Sequence, residues 1–168
     1  AMMIDGNRRW ARQAGFSTAA HGHRAGAAKM HEFLRWCDDI GIRVVSLYLL
    51  SGDNLRKRDS GELADLLQII SQLAGELSEE PGWRVQHVGR GELLPDDLRA
   101  ALIAAQERTR GNSGLHVNLA VGYGGRSEIV DAVRSIIAKR DEGGGSLEEL
   151  AASLTPEQIG EHLYTGGQ

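Results

Sequence analysis

Residues 42–50 read Ile-Arg-Val-Val-Ser-Leu-Tyr-Leu-Leu. Such a β-branched, apolar run is the signature of a strand covered on both faces, as in the middle of a parallel sheet. It empties into the polar turn Ser51-Gly52-Asp53-Asn54. A strand of that kind needs helices to cover it, and the flanking sequence supplies them. Residues 24–39 place Ala27, Met30, Leu34 and Cys37 at helical spacing, with Gly41 as the stop. Residues 62–79 repeat Leu63, Leu66, Leu67, Ile70, Leu73 and Leu77 along one stripe, which predicts a long amphipathic helix. The alternation continues with a strand over 83–88, a helix over 95–108 and a strand over 115–121. A further helix is marked by Ile129, Val130, Val133, Ile136 and Ile137 and is ended by the glycines 143–145. Two capping patterns, Ser146 with Glu149 and Thr155 with Pro156 and Gln158, announce short helices after it. Ala1–Ile4 reads as the tail of a first strand. The sum is an α/β fold: a mostly parallel central sheet with helices on both faces. Ligands of such sheets bind at the carboxyl ends of the strands, where the loops at 5–10, 51–54 and 122–126 emerge.

At 168 residues the chain predicts one domain spanning 1–168. The longest nearly apolar run, Val44 to Leu50, falls far short of the roughly 20 residues a membrane helix needs, so no membrane span is expected. A single cysteine, Cys37, and no visible signal peptide fit a reducing, cytoplasmic location. Charge is unevenly placed: residues 1–30 carry a net +4 and the remainder −8. A basic segment within an acidic protein points to a confined anion site, and nucleic acid, which wants a broad positive face, is not an expected partner.

Asp5, followed by Gly6 at a strand's end, can reach a Mg²⁺ shared with a ligand's phosphates, since Mg²⁺ takes one or two protein carboxylates and fills its shell with phosphate and water. The same aspartate could instead cap the helix starting near Arg8. Arg8, Arg9 and Arg12 would surround an anion there, and His23 and Arg24 open the next helix. Gly122, Gly124 and Gly125 do not complete a dinucleotide fingerprint, because Ser127 occupies the required position. There is no P-loop and no nucleophile elbow, and Ser51 has no obvious adjacent base. Spacing alone yields an α/β domain that binds a phosphorylated ligand.

The motifs together say more. DGNRRWA at 5–11, GHRAG at 22–26, LYLLSGDNL at 47–55 and NLAVGYGGRSEIVDAV at 118–133 resemble the cis-prenyltransferases, the undecaprenyl diphosphate synthase family, and most of all its short-chain Z-farnesyl diphosphate synthases. The resemblance runs over essentially the whole chain. It implies a homodimer with a hydrophobic tunnel that condenses isopentenyl diphosphate with an allylic diphosphate, geranyl diphosphate here, to a Z product near C15. By the family pattern Asp5 holds Mg²⁺, and Gly6, Asn7, Arg8 and Arg9, followed by Trp10, cradle the allylic diphosphate. His23 matches the phosphate-side histidine. Asn7 and Ser51 help position the reacting groups, and Asn54 matches the asparagine of the family's turn. Arg58 falls in the stretch where the family has an arginine. Leu49 takes the place of a small alanine in the tunnel wall of long-chain members, which shortens the tunnel. Weak membrane association through the product is also implied.

The departures are Gly52-Asp53 where the family has a hydroxyl residue and Glu, Leu55 for a tryptophan, and no arginine before the GH motif. They leave a second expectation on the same fold, irregular head-to-middle coupling of dimethylallyl diphosphate with another allylic diphosphate to lavandulyl-type products. A non-catalytic partner subunit is disfavoured because Asp5, Asn7 and Arg9 are all present. The family pattern continues beyond residue 168 into an RxSGExRxS-type strand that binds isopentenyl diphosphate, and the chain starts inside a strand. The sequence is therefore expected to lack residues at both ends, including that half-site.

Overall fold

The computed structural model describes all residues except 59, 143–145, 167 and 168, and of residues 140–142, 147 and 149 the backbone alone. The elements in chain order are β1 (Met2–Met3), α1 (Asn7–Gln13), α2 (Ala19–Asp39), β2 (Val44–Ser51), α3 (Gly52–Lys57), α4 (Ser60–Glu79), β3 (Arg84–Val88), α5 (Asp96–Thr109), β4 (His116–Tyr123), α6 (Gly125–Glu142), α7 (Leu147–Ser153) and α8 (Pro156–Glu161). The strands form one sheet in the order β1-β2-β4-β3. β1 pairs parallel with β2, Met2 opposite Leu47, and β3 pairs parallel with β4, Val85 opposite Val117. The α/β reading with a parallel sheet holds.

The chain divides into two compact units, residues 1–122 and 123–168. In the first, buried residues of α2, α4 and α5 join Val45, Leu47, Val85, Val117, Leu119 and Val121 of the strands in a single core. The stripe predicted for residues 62–79 is real: Leu66, Ile70, Leu73 and Leu77 are all buried, and Leu63 and Leu67 pack against the same core from its edge. β4 is the strand covered throughout, from Val117 to Gly122. β2 is not. It alternates, with Val45 and Leu47 buried while Val44 is exposed and Ser46 and Tyr48 are half-buried, because its first residues lie at the rim, where α2 ends in the turn at Gly41. Asn118 uses the same face as Ser46 and donates from Nδ2 to its Oγ at 3.3 Å.

Two local readings need correction. The stretch 51–54 is the start of helix α3, where Ser51 is the N-cap and its Oγ accepts from the Asn54 backbone N–H at 3.1 Å. The strand thus turns directly into a helix, a serine cap doing what a loop was expected to do. α2 begins at Ala19, so His23 lies in its second turn and does not open it. Neither Thr18 nor any other side chain caps that start, which is why no capping pattern announces it.

In the second unit α8 has the complete box foreseen: Thr155 Oγ1 accepts from Gln158 N at 3.3 Å and Gln158 Oε1 accepts from Thr155 N at 3.1 Å. Tyr164 closes the unit with its hydroxyl on Asp131 Oδ2 at 2.5 Å and its backbone N–H on Glu128 Oε1 at 2.9 Å. The glycines at 143–145 expected to end α6, and the Glu149 side chain expected to cap α7, lie outside the described residues.

Candidate active site

The site is built where β1 ends. Gly6 has φ +86, a left-handed conformation in which a side chain is strained, and it turns the chain from β1 straight into α1. Asp5 stabilises this reversal by accepting the Gly6 N–H on Oδ1 at 2.6 Å. The N-cap of α1 is Gly6 itself, with no side-chain hydrogen bond, so the capping role left open for Asp5 is excluded and its carboxylate stays in solvent.

α1 then lies against α2 more closely than two helices with side chains could. A Cβ on Gly22 would fall 2.1 Å from the Asn7 carbonyl oxygen, and one on Gly26 would fall 2.8 Å from the Asn7 amide group. The two glycines are one turn apart on one face of α2. This is the physical content of the GHRAG motif: it opens a seat for Asn7, and His23 is carried beside it.

Around that seat lies a cavity of about 280 Å³ lined by Ile4, Asp5, Gly6, Asn7, Arg8, Arg9, Arg12, His23 and Arg58. Four arginines line it and Asp5 is the carboxylate among its lining residues, so the cavity is cationic and suited to a diphosphate. A narrow slot of about 50 Å³ shares Ile4, Asn7, His23 and Arg58 with it and runs between α2 and α4. Its other walls are Ala27, Leu49, Leu66, Ile69, Ile70 and Leu73. A charged head and an apolar tail on one ligand would find matching surroundings side by side.

Of the residues singled out from sequence, Asp5, Gly6, Asn7, Arg8, Arg9, His23 and Arg58 come together in the cavity, and Leu49 lies in the slot. Ser51 and Asn54 are engaged with each other at the start of α3. Trp10 points elsewhere, half-exposed beside Phe16 with ring centroids 5.8 Å apart.

The residue missed is Glu62. Arg8 Nη2 donates to its Oε2, Arg58 Nη1 donates to its Oε1 at 2.8 Å, and His23 Nε2 lies 3.3 Å from that same oxygen. The Glu62 side chain is only 15% exposed. Burial by itself raises its carboxyl, but the hydrogen bonds from Arg8 and His23 and the charges of Arg8 and Arg58 outweigh it, and the carboxyl lies below the usual glutamate value of 4.5. Its signal was the four-residue spacing from Arg58. In sequence that resembled an ordinary pair in a helix's first turn.

His23 is 7% exposed. Burial lowers it below the usual 6.5, the hydrogen bond to Glu62 opposes this, and the charge of Arg58 reinforces it. Nε2 also lies 3.5 Å from Arg58 Nη1. With its proton on Nε2 the ring donates to Glu62, and with the proton on Nδ1 it accepts from Arg58, so the ring can serve either partner. His87 and His116 are lowered too, both chiefly by burial. In all three the unfolded state binds a proton that the folded state resists, so stability is fully present above pH 6.5 and declines as pH falls below it. Glu62 adds a second loss below about pH 4.5. Denaturant unfolding at pH 7.5 and 5.5 should show the first decline, and His23→Gln should flatten part of it; an unchanged slope in that variant would remove His23 from the account.

A divalent cation fits this donor set in one way. Among the described residues no group of three or more His, Cys, Asp or Glu side chains could cage a metal. Asp5 lines the cationic cavity with its carboxylate largely exposed, which matches the habit of Mg²⁺ of taking one carboxylate and completing its shell from substrate phosphates and water.

Residues 3–168 match the family described as "Putative undecaprenyl diphosphate synthase". The chain is 50% identical over 167 residues to isoprenyl transferase 1 of Corynebacterium glutamicum, covering 99% of this chain and 74% of that protein. It is 47% identical over 169 residues to (2Z,6E)-farnesyl diphosphate synthase of Mycobacterium tuberculosis, covering 100% of this chain and 64% of that one. Among solved structures, lavandulyl diphosphate synthase of Lavandula x intermedia in complex with dimethylallyl diphosphate superposes with a TM-score of 0.86 at 29% identity, over 97% of this chain and 69% of that one. The chain thus spans about two thirds of the length of the relatives it matches.

Proposed function

The chain belongs to the undecaprenyl diphosphate synthase family of prenyl transferases, and on that premise we propose that it is a short-chain cis-prenyltransferase joining isopentenyl diphosphate to geranyl diphosphate with a Z product near C15. The observation that supports this most is the shared wall: a cationic cavity and an apolar slot with Ile4, Asn7, His23 and Arg58 in common. The relatives named as isoprenyl transferase and (2Z,6E)-farnesyl diphosphate synthase point the same way.

In the reaction the allylic C–O bond breaks, its electron pair leaves with the diphosphate, the double bond of isopentenyl diphosphate forms the new C–C bond, and a proton is lost. Charge therefore grows on the diphosphate as the bond breaks. Arg8, Arg9, Arg12 and Arg58 are already placed to receive it, and donors that need no reorganisation are the ones that lower a barrier. Glu62 and His23 hold Arg58 and Arg8 in position. Asp5 would hold Mg²⁺, which when bound would supply charge neutralisation for the departing diphosphate. The slot excludes water from the electron-poor allylic carbon. On the same reading the protein works as a cytoplasmic homodimer, as the family resemblance implies.

Leu49 limits the product. Leu49→Ala is expected to lengthen it by at least one isoprene unit at a stability cost of about 2 kcal/mol or more. Mass spectrometry of products made by the full-length protein with Mg²⁺, offered isopentenyl, dimethylallyl and geranyl diphosphates singly and in pairs, tests both statements. An unchanged product from Leu49→Ala would return this leucine to ordinary packing. The likeness to a lavandulyl diphosphate synthase structure favours one second reading, head-to-middle coupling. A branched product formed without isopentenyl diphosphate would select it.

A further inference from the structure

α2 and α4 are held together by polar groups at two levels. At the head of the slot His23 of α2 meets Glu62 of α4. Farther along, His31 Nε2 lies 3.0 Å from Glu76 Oε2 and its Nδ1 lies 3.7 Å from Glu80 Oε1. Arg35 Nη2 donates to Glu80 Oε1 at 2.8 Å, and Gln72 Nε2 donates to Glu76 Oε1 at 2.7 Å. Partners rise together in number on both helices, so α2 and α4 run in the same direction. His23, Ala27, His31 and Arg35 are spaced by four and share one face of α2.

Between the two levels the facing residues are apolar: Ala27 on α2, and Leu66, Ile69, Ile70 and Leu73 on α4, line the slot. Ala27 is one turn before His31, and Leu73 is about one turn before Glu76. The second polar level therefore crosses the gap immediately beyond the last residues that line the slot. A tail lengthened past Ala27 and Leu73 would run toward this level.

We propose that the His31–Arg35–Glu76–Glu80 clasp is a specificity element for product length, fixing the spacing of α2 and α4 at the far end of the slot. It rests on the prenyltransferase reading above. Arg35 and Glu76 keep much of their side chains in solvent while His31 and Glu80 are largely covered, and none of the four lines the cationic cavity. His31 and Arg35 on α2 meet Glu76 on α4 and Glu80 just past its end, next to the slot that an apolar tail would enter. The clasp is a positioning device, acting through the helices it joins. Leu49 sets the strand-side wall of the same slot, so the two controls are separable.

The test uses the full-length protein with non-reactive prenyl S-thiolodiphosphates of 10, 15, 20 and 25 carbons, measured by calorimetry, beside the product assay with Mg²⁺. His31→Ala and Glu80→Gln are expected to raise affinity for the 20-carbon analogue about tenfold while leaving the 10-carbon analogue within about twofold, and to move products one isoprene unit longer. Arg35→Glu should do the same, and the exchanged pair Arg35→Glu with Glu80→Arg should restore the wild-type profile. Thermal melts confirm that each variant is folded, and Glu76→Gln serves where one is not. Length profiles like the wild type in folded variants overturn the clasp alone, and so does an exchanged pair that behaves like Arg35→Glu. A wild-type protein that binds no prenyl thiolodiphosphate of any length overturns the prenyltransferase reading and the clasp with it.

Discussion

Replacing Gly22 with alanine is expected to lower the melting temperature by roughly 5 to 10 °C and to reduce kcat/KM by about a hundredfold. The new Cβ would sit 2.1 Å from the Asn7 carbonyl oxygen, 2.8 Å from its carbon and 3.2 Å from the Ala11 Cβ. The first two are backbone atoms, which no rotamer change can withdraw, so α1 as a whole must move away from α2 by about an ångström. Forcing a methyl into a packed contact costs about 1–3 kcal/mol, and each kcal/mol is worth about 2–4 °C in a domain of this size. Asp5, Gly6 and Asn7 are joined to α1 and move with it, and a displacement of about 1 Å of reacting groups costs about 10²-fold in rate. Gly26→Ala separates the two effects. The three atoms nearest its Cβ all belong to the Asn7 side-chain amide, which can swing aside, so activity should suffer more than stability. In Gly75→Ala nothing lies within 4 Å of the added methyl, and the helix should be stabilised by about 0.5–1 kcal/mol. Differential scanning calorimetry of the three variants checks the order. A Gly22→Ala protein as stable as Gly75→Ala would show that α1 does not bear on α2 as described.

The largest effect on turnover is expected from Asp5→Asn, a loss of about 10²–10³-fold in kcat at saturating substrate, with the melting temperature unchanged. The amide keeps the shape of the carboxylate and an oxygen able to accept the Gly6 N–H, which Asp5 now holds at 2.6 Å. What disappears is the charge. The Asp5 side chain is 86% exposed and its ion pair with Arg9 spans 4.0 Å, so little folding energy depends on it. On the proposed reading Asp5 would hold Mg²⁺ beside the diphosphate, and the metal would supply charge neutralisation there. Steady-state rates across a Mg²⁺ titration check this: the variant should need more Mg²⁺ for half its maximal rate. Turnover within tenfold of wild type at every Mg²⁺ concentration would take Asp5 out of the metal site.

Much of the architecture was legible along the chain because it depends on local period and local caps. The stripe of α4 follows from 3.6-residue spacing, the end of α2 from Gly41, and the start of α8 from Thr155, Pro156 and Gln158; each is written within one or two turns. β2 shows where that stops. Its composition promised cover on both faces, yet it is β4 that is covered throughout, since the depth of a strand in a sheet is set by its neighbours and by which end of it lies at the rim. Residues 51–54 look like a turn by composition, and become a helix because Ser51 caps it.

The site divides in the same way. Asp5, Asn7, Arg8, Arg9 and His23 could be picked out because their motifs are contiguous. Glu62 could not, because its meaning lies in three partners, Arg8, His23 and Arg58, of which two come from distant segments. The sequence by itself determined the alternation of strands and helices, the cationic start of the chain and the family, since each is carried by residues near one another along the backbone. Only the tertiary structure decided that two glycines in α2 make room for Asn7, that one largely covered carboxylate bridges two arginines and a histidine, and that a cationic cavity and an apolar slot share a wall. Those are contacts between segments tens of residues apart, and they exist only once burial of the core has brought α1, α2 and α4 together.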